Sequence, residues 1–84
     1  MREMYNKDMD VTLRIEEWIM LKNGWEYYLT PKEEDQPDNI RFAMVCGFEN
    51  EMGYIDMEEL KPYIISRTKD LSTLKPATGG WTWK

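Results

Sequence analysis

The chain has 84 residues, with 16 aspartates and glutamates against 11 lysines and arginines, so its formal charge at pH 7 is −5. This length fits one domain, residues 1–84. Because the chain has no histidine, it lacks the commonest general base and the commonest metal ligand. Its single cysteine excludes an internal disulfide and a multi-cysteine zinc site. We therefore expect a small, acidic, cytoplasmic protein that uses no cofactor and no metal.

Charge and hydropathy also restrict the partners. No run approaches the ~20 apolar residues of a membrane helix, and the polar start has no apolar secretory core. The acids are clustered while the positive charges are scattered singly, whereas nucleic-acid binding normally needs a basic surface. We expect no membrane and no direct nucleic-acid partner, but a protein with a basic surface, bound less tightly as salt rises. The alternative is that the acidic charge only confers solubility.

Alternating apolar and polar residues predict the first strand, which begins at Val11 and runs into the apolar stretch 18–21. A helix over 11–22 is the competing interpretation. Asn23-Gly24 then predicts a two-residue hairpin turn, because both residues tolerate positive φ. The resulting register pairs Lys22 with Trp25, Met20 with Tyr27, and Trp18 with Leu29. Both faces of this hairpin carry apolar residues, which is typical of central strands or of a face used for contact.

The middle of the chain continues the sheet. Segment 30–39 has two prolines and four acids, which indicates a loop. Segment 40–48 alternates strongly and predicts a strand, residues 49–53 a turn, and 54–55 a short final strand. Asp56 followed by Glu59 is typical of a helix start of capping-box type, and Pro62 keeps that helix short. Residues beyond 67 are predicted to be irregular up to the Gly79-Gly80 joint.

The two ends, 1–9 and 79–84, are candidate flexible segments. In the second of them, Trp81 and Trp83 alternate with Thr82, so both indoles share one side of an added strand. They either fold back over the sheet or anchor a partner or a second copy of the chain. Trp and Tyr dominate interface hot spots because they bury a large area at little entropic cost.

The segment from Trp25 to Leu60 resembles a family of small domains of unknown function from bacteria, plasmids and phages. That family has a Trp- and Tyr-rich strand, a glycine-containing strand leading into Glu-Leu-Gly-Tyr, and a short Glu-Leu helix. The matching positions are Trp25, Tyr28, Phe42, Gly47, Glu51, Gly53, Tyr54, Glu59 and Leu60, with Asp70 and Pro76 towards the end. Met52 stands where the family has leucine, and the family's longer N-terminal helical lead is absent. The resemblance implies an α+β sheet domain and a mobile-element context, with no known reaction.

The chemistry of the side chains favours binding over catalysis. Cys46 lies on the apolar face of its strand without a histidine to activate it, so we expect core packing. Glu49, Glu51 and the acids at 56–59 are candidates for a carboxylate or cation site, but calcium-loop spacing is missing and helix capping accounts for two of them. No phosphate-binding glycine loop is present. We therefore expect no enzymatic activity.

The predicted fold is α+β, a small antiparallel sheet of three to five strands with one short helix packed on it. The predicted function is a protein-binding module, in its sharper form a phage or mobile-element inhibitor of the anti-CRISPR or anti-restriction type. Such an inhibitor would occlude a basic nucleic-acid-binding surface, with carboxylates in place of phosphates and rings in place of bases. The alternative is a structural or homodimeric accessory domain. The predicted partner-binding residues are Glu26, Tyr28, Glu33, Glu34, Asp35, Glu49, Glu51, Tyr54, Trp81 and Trp83.

Overall fold

A computed structural model describes all residues, 1–84. It contains eight strands, a four-residue α-helix and a 3-10 turn. In chain order these are β1 (Arg2–Asn6), β2 (Val11–Ile15), β3 (Glu17–Leu21), β4 (Glu26–Leu29), β5 (Ile40–Cys46), β6 (Asn50–Asp56), α1 (Met57–Leu60), the 3-10 turn (Lys61–Tyr63), β7 (Ile64–Thr68) and β8 (Trp81–Trp83). No helix is long and apolar enough to cross a membrane.

The strands form two antiparallel sheets, which confirms the α+β class and divides the strands between two layers. One sheet has the order β2-β1-β8 and the other β6-β5-β4-β3-β7. The chain passes from the first sheet to the second at Glu16, whose N–H donates to the carbonyl of Leu29 at 2.8 Å. The apolar run after Val11 is therefore two strands in two sheets, and the competing helix over 11–22 is wrong.

The β3–β4 hairpin is present, but its predicted register is wrong by one residue. Trp18 pairs with Tyr28 and Ile19 with Tyr27. The loop has three residues, because the N–H of Leu21 donates to the carbonyl of Trp25 and only Gly24 has a positive φ, of 86°. A one-residue shift exchanges the faces of one strand relative to the other.

Both faces of the five-stranded sheet are covered, which explains why both carry apolar residues. One face packs on the three-stranded sheet and the loop before β8, around a core of Met4, Ile15, Trp18, Tyr28, Met44, Leu71, Ala77 and Trp81. The opposite face is covered by α1, whose Met57 and Leu60 pack on a core of Ile19, Leu21, Tyr27, Leu29 and Ala43. The molecule thus has three layers, with the large sheet in the middle.

The β5–β6 hairpin has a tighter turn and a longer second strand than expected. The predicted turn over 49–53 is wrong, because β6 already begins at Asn50 and runs for seven residues. The N–H of Gly47 donates to the carbonyl of Glu49, which closes the turn around Phe48. This places Met52 inside a strand, with its side chain on the same face as that of Tyr54.

The helix begins as predicted at Asp56, whose carboxylate accepts from the N–H of Glu58 at 2.9 Å. Glu59 makes no reciprocal bond, so the cap is single. Pro62 lies at the start of the 3-10 turn, where its missing N–H costs nothing, and the chain then enters β7. The apolar residues Ile55 and Leu60 flank the cap and pack on the second core.

The two ends of the chain lie side by side in the three-stranded sheet. β1 is the central strand, between β2 and β8, and its Met4 is fully buried. Asn6 accepts from the N–H groups of Asp8 and Met9 and donates to the carbonyl of Gly79. One buried amide side chain thereby connects the β1–β2 turn to the segment that leads into β8.

Candidate functional site

The exposed edge of the five-stranded sheet is formed by β6, and Tyr54 lies at its centre. The ring of Tyr54 is 53% exposed and packs edge-on against Phe42 of β5, with the ring centroids 5.2 Å apart. Its hydroxyl donates to the carboxylate of Glu33, at 3.0 Å and 3.1 Å from the two oxygens. The structure therefore brings Glu33 of the acidic loop to the tyrosine of the edge strand.

We call this region the acidic-aromatic surface, and define it by Glu33, Glu34, Asp35, Phe42, Met52 and Tyr54. The hydrogen bond to Glu33 raises the pKa of Tyr54 above its ordinary value, with partial desolvation and the charges of Glu33 and Asp35 adding to the shift. The hydroxyl therefore keeps its proton and remains a donor at neutral pH. Glu34 and Asp35 are exposed beside it.

A second exposed group lies at the tip of the β5–β6 hairpin. Phe48 is 95% exposed and meets Trp25 edge-on, with ring centroids 5.4 Å apart. These two rings line a shallow cavity of about 230 Å³ together with Val45, Glu49 and Glu51. Glu51 pairs with Val45 and so lies on the face of β6 opposite to Tyr54. Glu51 and Tyr54, both predicted as partner-binding residues, thus point in opposite directions from one strand.

The remaining predicted binding residues are engaged inside the molecule. Tyr28 is 3% exposed and its hydroxyl donates to the carbonyl of Lys75 at 2.9 Å. Glu26 accepts from the indole Nε1 of Trp18 at 3.0 Å. Folding therefore uses these two side chains for internal contacts, away from the acidic-aromatic surface.

Trp81 and Trp83 also point inward. Trp81 is 5% exposed in the core between the sheets. Trp83 donates from Nε1 to the carbonyl of Leu74 at 2.9 Å, and the guanidinium of Arg2 lies 4.5 Å from its ring centroid. The C-terminal tail is thus an added strand of the three-stranded sheet, as its alternation suggests. Its indoles face the core between the two sheets.

The thiol of Cys46 is half-buried against the same core, as expected. Burial, and next the negative charge of Glu26, raise the pKa of Cys46 to about 11. At neutral pH the sulfur is therefore a protonated thiol, which is a poor nucleophile.

The carboxylates considered as a cation site do not converge. No group of three or more acidic or cysteine side chains is arranged to hold a metal ion. Asp56 caps the helix and also accepts from the side chain of Asn39. Glu58 and Glu59 are exposed in the first turn of α1, where they complement the helix dipole.

Two exposed apolar residues were not among the predicted binding residues: Met52 in the acidic-aromatic surface and Phe48 at the tip of the β5–β6 hairpin. Met52 is 38% exposed and lies on the same face as Tyr54. The period-two alternation of Met52, Tyr54 and Asp56 could have predicted a strand that includes Met52. Met52 was instead assigned to the predicted turn over 49–53. Comparisons with protein-family models, with curated proteins and with solved structures find no match to this chain.

Proposed function

We propose that this chain is a protein-binding module whose acidic-aromatic surface docks on a basic surface of its partner. The observation that carries the proposal is the pairing of Tyr54 with Glu33 next to Phe42 at an exposed sheet edge. Aromatic rings supply contact area, and the surrounding carboxylates supply charge complementarity and faster association.

The carboxylates of this surface form no ion pair within the chain. The three ion pairs of the molecule join Arg41 to Glu16 and Glu17, and Arg67 to Glu17. Glu33, Glu34 and Asp35 have no such partner. Lys32 is the one cation in this loop, and its Nζ donates to the backbone carbonyls of Glu33 and Gln36. Three acids against this one ammonium leave an acidic patch, which favours binding of lysine- and arginine-rich surfaces.

The finer form of the proposal is an inhibitor from a phage or another mobile element, acting in the bacterial cytoplasm. Its target would be an effector that binds nucleic acid through a basic groove. Carboxylates at 33–35 would meet the cations that otherwise contact phosphates, while Tyr54 and Phe42 would take the place of stacked bases. The family resemblance of residues 25–60 supports the mobile-element part of this proposal.

The test is a pair of charge-matched double variants. Glu34→Lys with Asp35→Lys alters the acidic-aromatic surface, and Glu3→Lys with Glu59→Lys alters exposed acids elsewhere. Each substitution adds two positive units, so both pairs change the formal charge from −5 to −1. None of these four side chains makes a hydrogen bond or ion pair, so both variants should fold.

We expect the unmodified protein to capture a basic, nucleic-acid-binding protein from bacterial lysate at low salt and to release it at high salt. Capture should fall by about tenfold or more in the 34/35 variant and remain in the 3/59 variant. Addition of the protein should also block nucleic-acid binding by the captured protein. Equal loss in both variants would show a non-specific effect of net charge and would contradict the proposed surface.

A further inference from the structure

The outer side of β6 presents unpaired backbone groups. At the ends of the strand, Gly47 donates to the carbonyl of Glu49, and Met57 donates to the carbonyl of Asn39. In an antiparallel ladder the direction of the backbone groups alternates, so the odd-numbered residues of β6 bond to β5. The N–H and C=O groups of Met52 and Tyr54 therefore point away from the sheet, and no other group in the chain bonds to them.

This edge lacks several of the features that usually protect an exposed strand, and the charges that it carries are acidic. β6 has seven residues, contains no proline and no lysine, and pairs with β5 without a register shift. The opposite edge strand, β7, has five residues, a bulge in its pairing with β3, and Arg67 within it. Of the two edge strands, β6 is thus both the longer, more regular one and the acidic one.

We infer that the partner binds by adding an extended, lysine- or arginine-bearing segment to β6 as a sixth strand of the large sheet. This inference rests on the proposed function and specifies its geometry. In strand addition, main-chain hydrogen bonds hold the segment while alternate side chains contact the two faces. Side chains on one face would pack on Met52 and Tyr54 and reach Glu33, while a cation on the other face would meet Glu51.

Charge argues for a basic segment as the occupant in preference to a second copy of this chain. Two copies joined through β6 would bring together two sets of the acids at 33–35, on chains that each carry a charge of −5. Like charges facing each other across strands are destabilising. A segment with lysines at alternate positions would instead offset these charges.

The test uses a defined probe, an acetylated and amidated nine-residue peptide in which lysine alternates with valine and threonine. Amide hydrogen exchange of the full chain is followed by NMR with and without this peptide. In the free protein the amides of Met52 and Tyr54 should exchange rapidly although they lie inside a strand. Peptide binding should slow both by about tenfold or more, because their N–H groups become hydrogen-bonded. The amide of Gly53, which already bonds to β5, should not change and is the internal control.

A pair of variants at one position gives a second measurement. Proline at an edge position whose N–H points to solvent is compatible with a sheet. Met52→Pro removes the outward N–H, whereas Met52→Thr keeps it and also removes the apolar side chain. We expect peptide affinity to fall about tenfold more in Met52→Pro than in Met52→Thr, the effect of one lost hydrogen bond.

The outcomes separate this inference from the proposed function. Peptide binding that leaves the amides of Met52 and Tyr54 unprotected would overturn strand addition and leave the proposed function standing. Absence of peptide binding, while the basic protein is still captured through residues 34 and 35, would overturn the inference in the same way. If the peptide does not bind and the basic protein is not captured through residues 34 and 35, both the inference and the proposed function are overturned. Protection of these amides without peptide, rising with protein concentration, would identify a second copy as the occupant and overturn the basic segment.

Discussion

Glu17 is the only charged residue that folding buries, at 4% exposure, and it lies between two arginines. Its carboxylate accepts from Nε of Arg67 at 2.7 Å and lies 3.9 Å from a guanidinium nitrogen of Arg41. Glu17→Ala leaves these cations without their buried partner, so we expect a loss of about 2 kcal/mol or more in the free energy of unfolding. Urea denaturation followed by circular dichroism would measure this loss.

Glu16 provides the matched control for Glu17. It bonds to the same Arg41 at 3.3 Å, but its side chain is more exposed. Glu16→Ala should therefore cost less than about 1 kcal/mol, as exposed ion pairs do. Equal costs for the two variants would show that burial does not determine the contribution of this cluster.

At position 47 the fold leaves no room for a side chain beside the ring of Trp25. A Cβ atom at this position would lie 2.7 Å from the ring of Trp25, whereas one at Gly53 would meet nothing within 4 Å. Gly47→Ala must displace the indole, and we expect a loss of about 1 to 3 kcal/mol, typical of overpacking. Gly53→Ala should be within about 0.5 kcal/mol of the unmodified protein. Thermal denaturation of both variants measures the difference, and a stable Gly47→Ala variant would contradict the close contact.

At the scale of elements, β8 contributes Trp81 to the core between the two sheets. Because Trp81 fills that core, Trp81→Ala should lower the free energy of unfolding by about 3 to 5 kcal/mol. Thr82 is exposed on the same strand, so Thr82→Ala should change it by less than about 0.5 kcal/mol. Circular dichroism melting curves compare the two. If Trp81→Ala melted near the unmodified protein, the indole would be free for a partner, as the alternative interpretation of the tail requires.

The sequence predicted most strands and the helix cap, because alternation and capping are local signals. It did not determine the β3–β4 register. A two-residue turn and the observed three-residue loop both use Asn23-Gly24, with Asn23 accepting from the N–H of Trp25 in the latter. Since both faces of this hairpin are apolar, the hydrophobic pattern could not select between the two registers.

The candidate site was only partly predictable for a related reason. Glu33 and Tyr54 could be named as candidate binding residues by type, but their contact spans 21 positions and depends on where the acidic loop lies relative to β6. The inward direction of Trp81 and Trp83 depends on pairing between the two ends of the chain. Such long-range contacts leave no periodic trace in the sequence.

For the whole molecule, burial of ionisable groups predicts a loss of stability at alkaline pH. Desolvation is the main cause that raises the pKa of Tyr28 above its ordinary value, and the charge of Glu26 adds to the shift. Burial raises the pKa of Cys46 to about 11. The unfolded chain releases these protons from about pH 8.5 for the thiol and about pH 10 for the phenol, while the folded chain retains them. Stability contributed by both groups is therefore present at neutral pH and declines as pH rises, most steeply between about pH 10 and 11, where both groups release protons on unfolding.

The variant Tyr28→Phe isolates the contribution of the Tyr28 phenol to the loss of stability at alkaline pH. The variant loses the hydrogen bond to Lys75, so at pH 7 we expect it to be about 1 kcal/mol less stable. Above pH 10, where the phenol would otherwise ionise on unfolding, its stability should decline less steeply than that of the unmodified protein. Tyr63→Phe, an exposed substitution without a hydrogen bond, is the control and should follow the unmodified curve. Urea midpoints measured from pH 7 to pH 11 give the slopes. Parallel curves for Tyr28→Phe and the unmodified protein would show that the Tyr28 proton is not linked to folding.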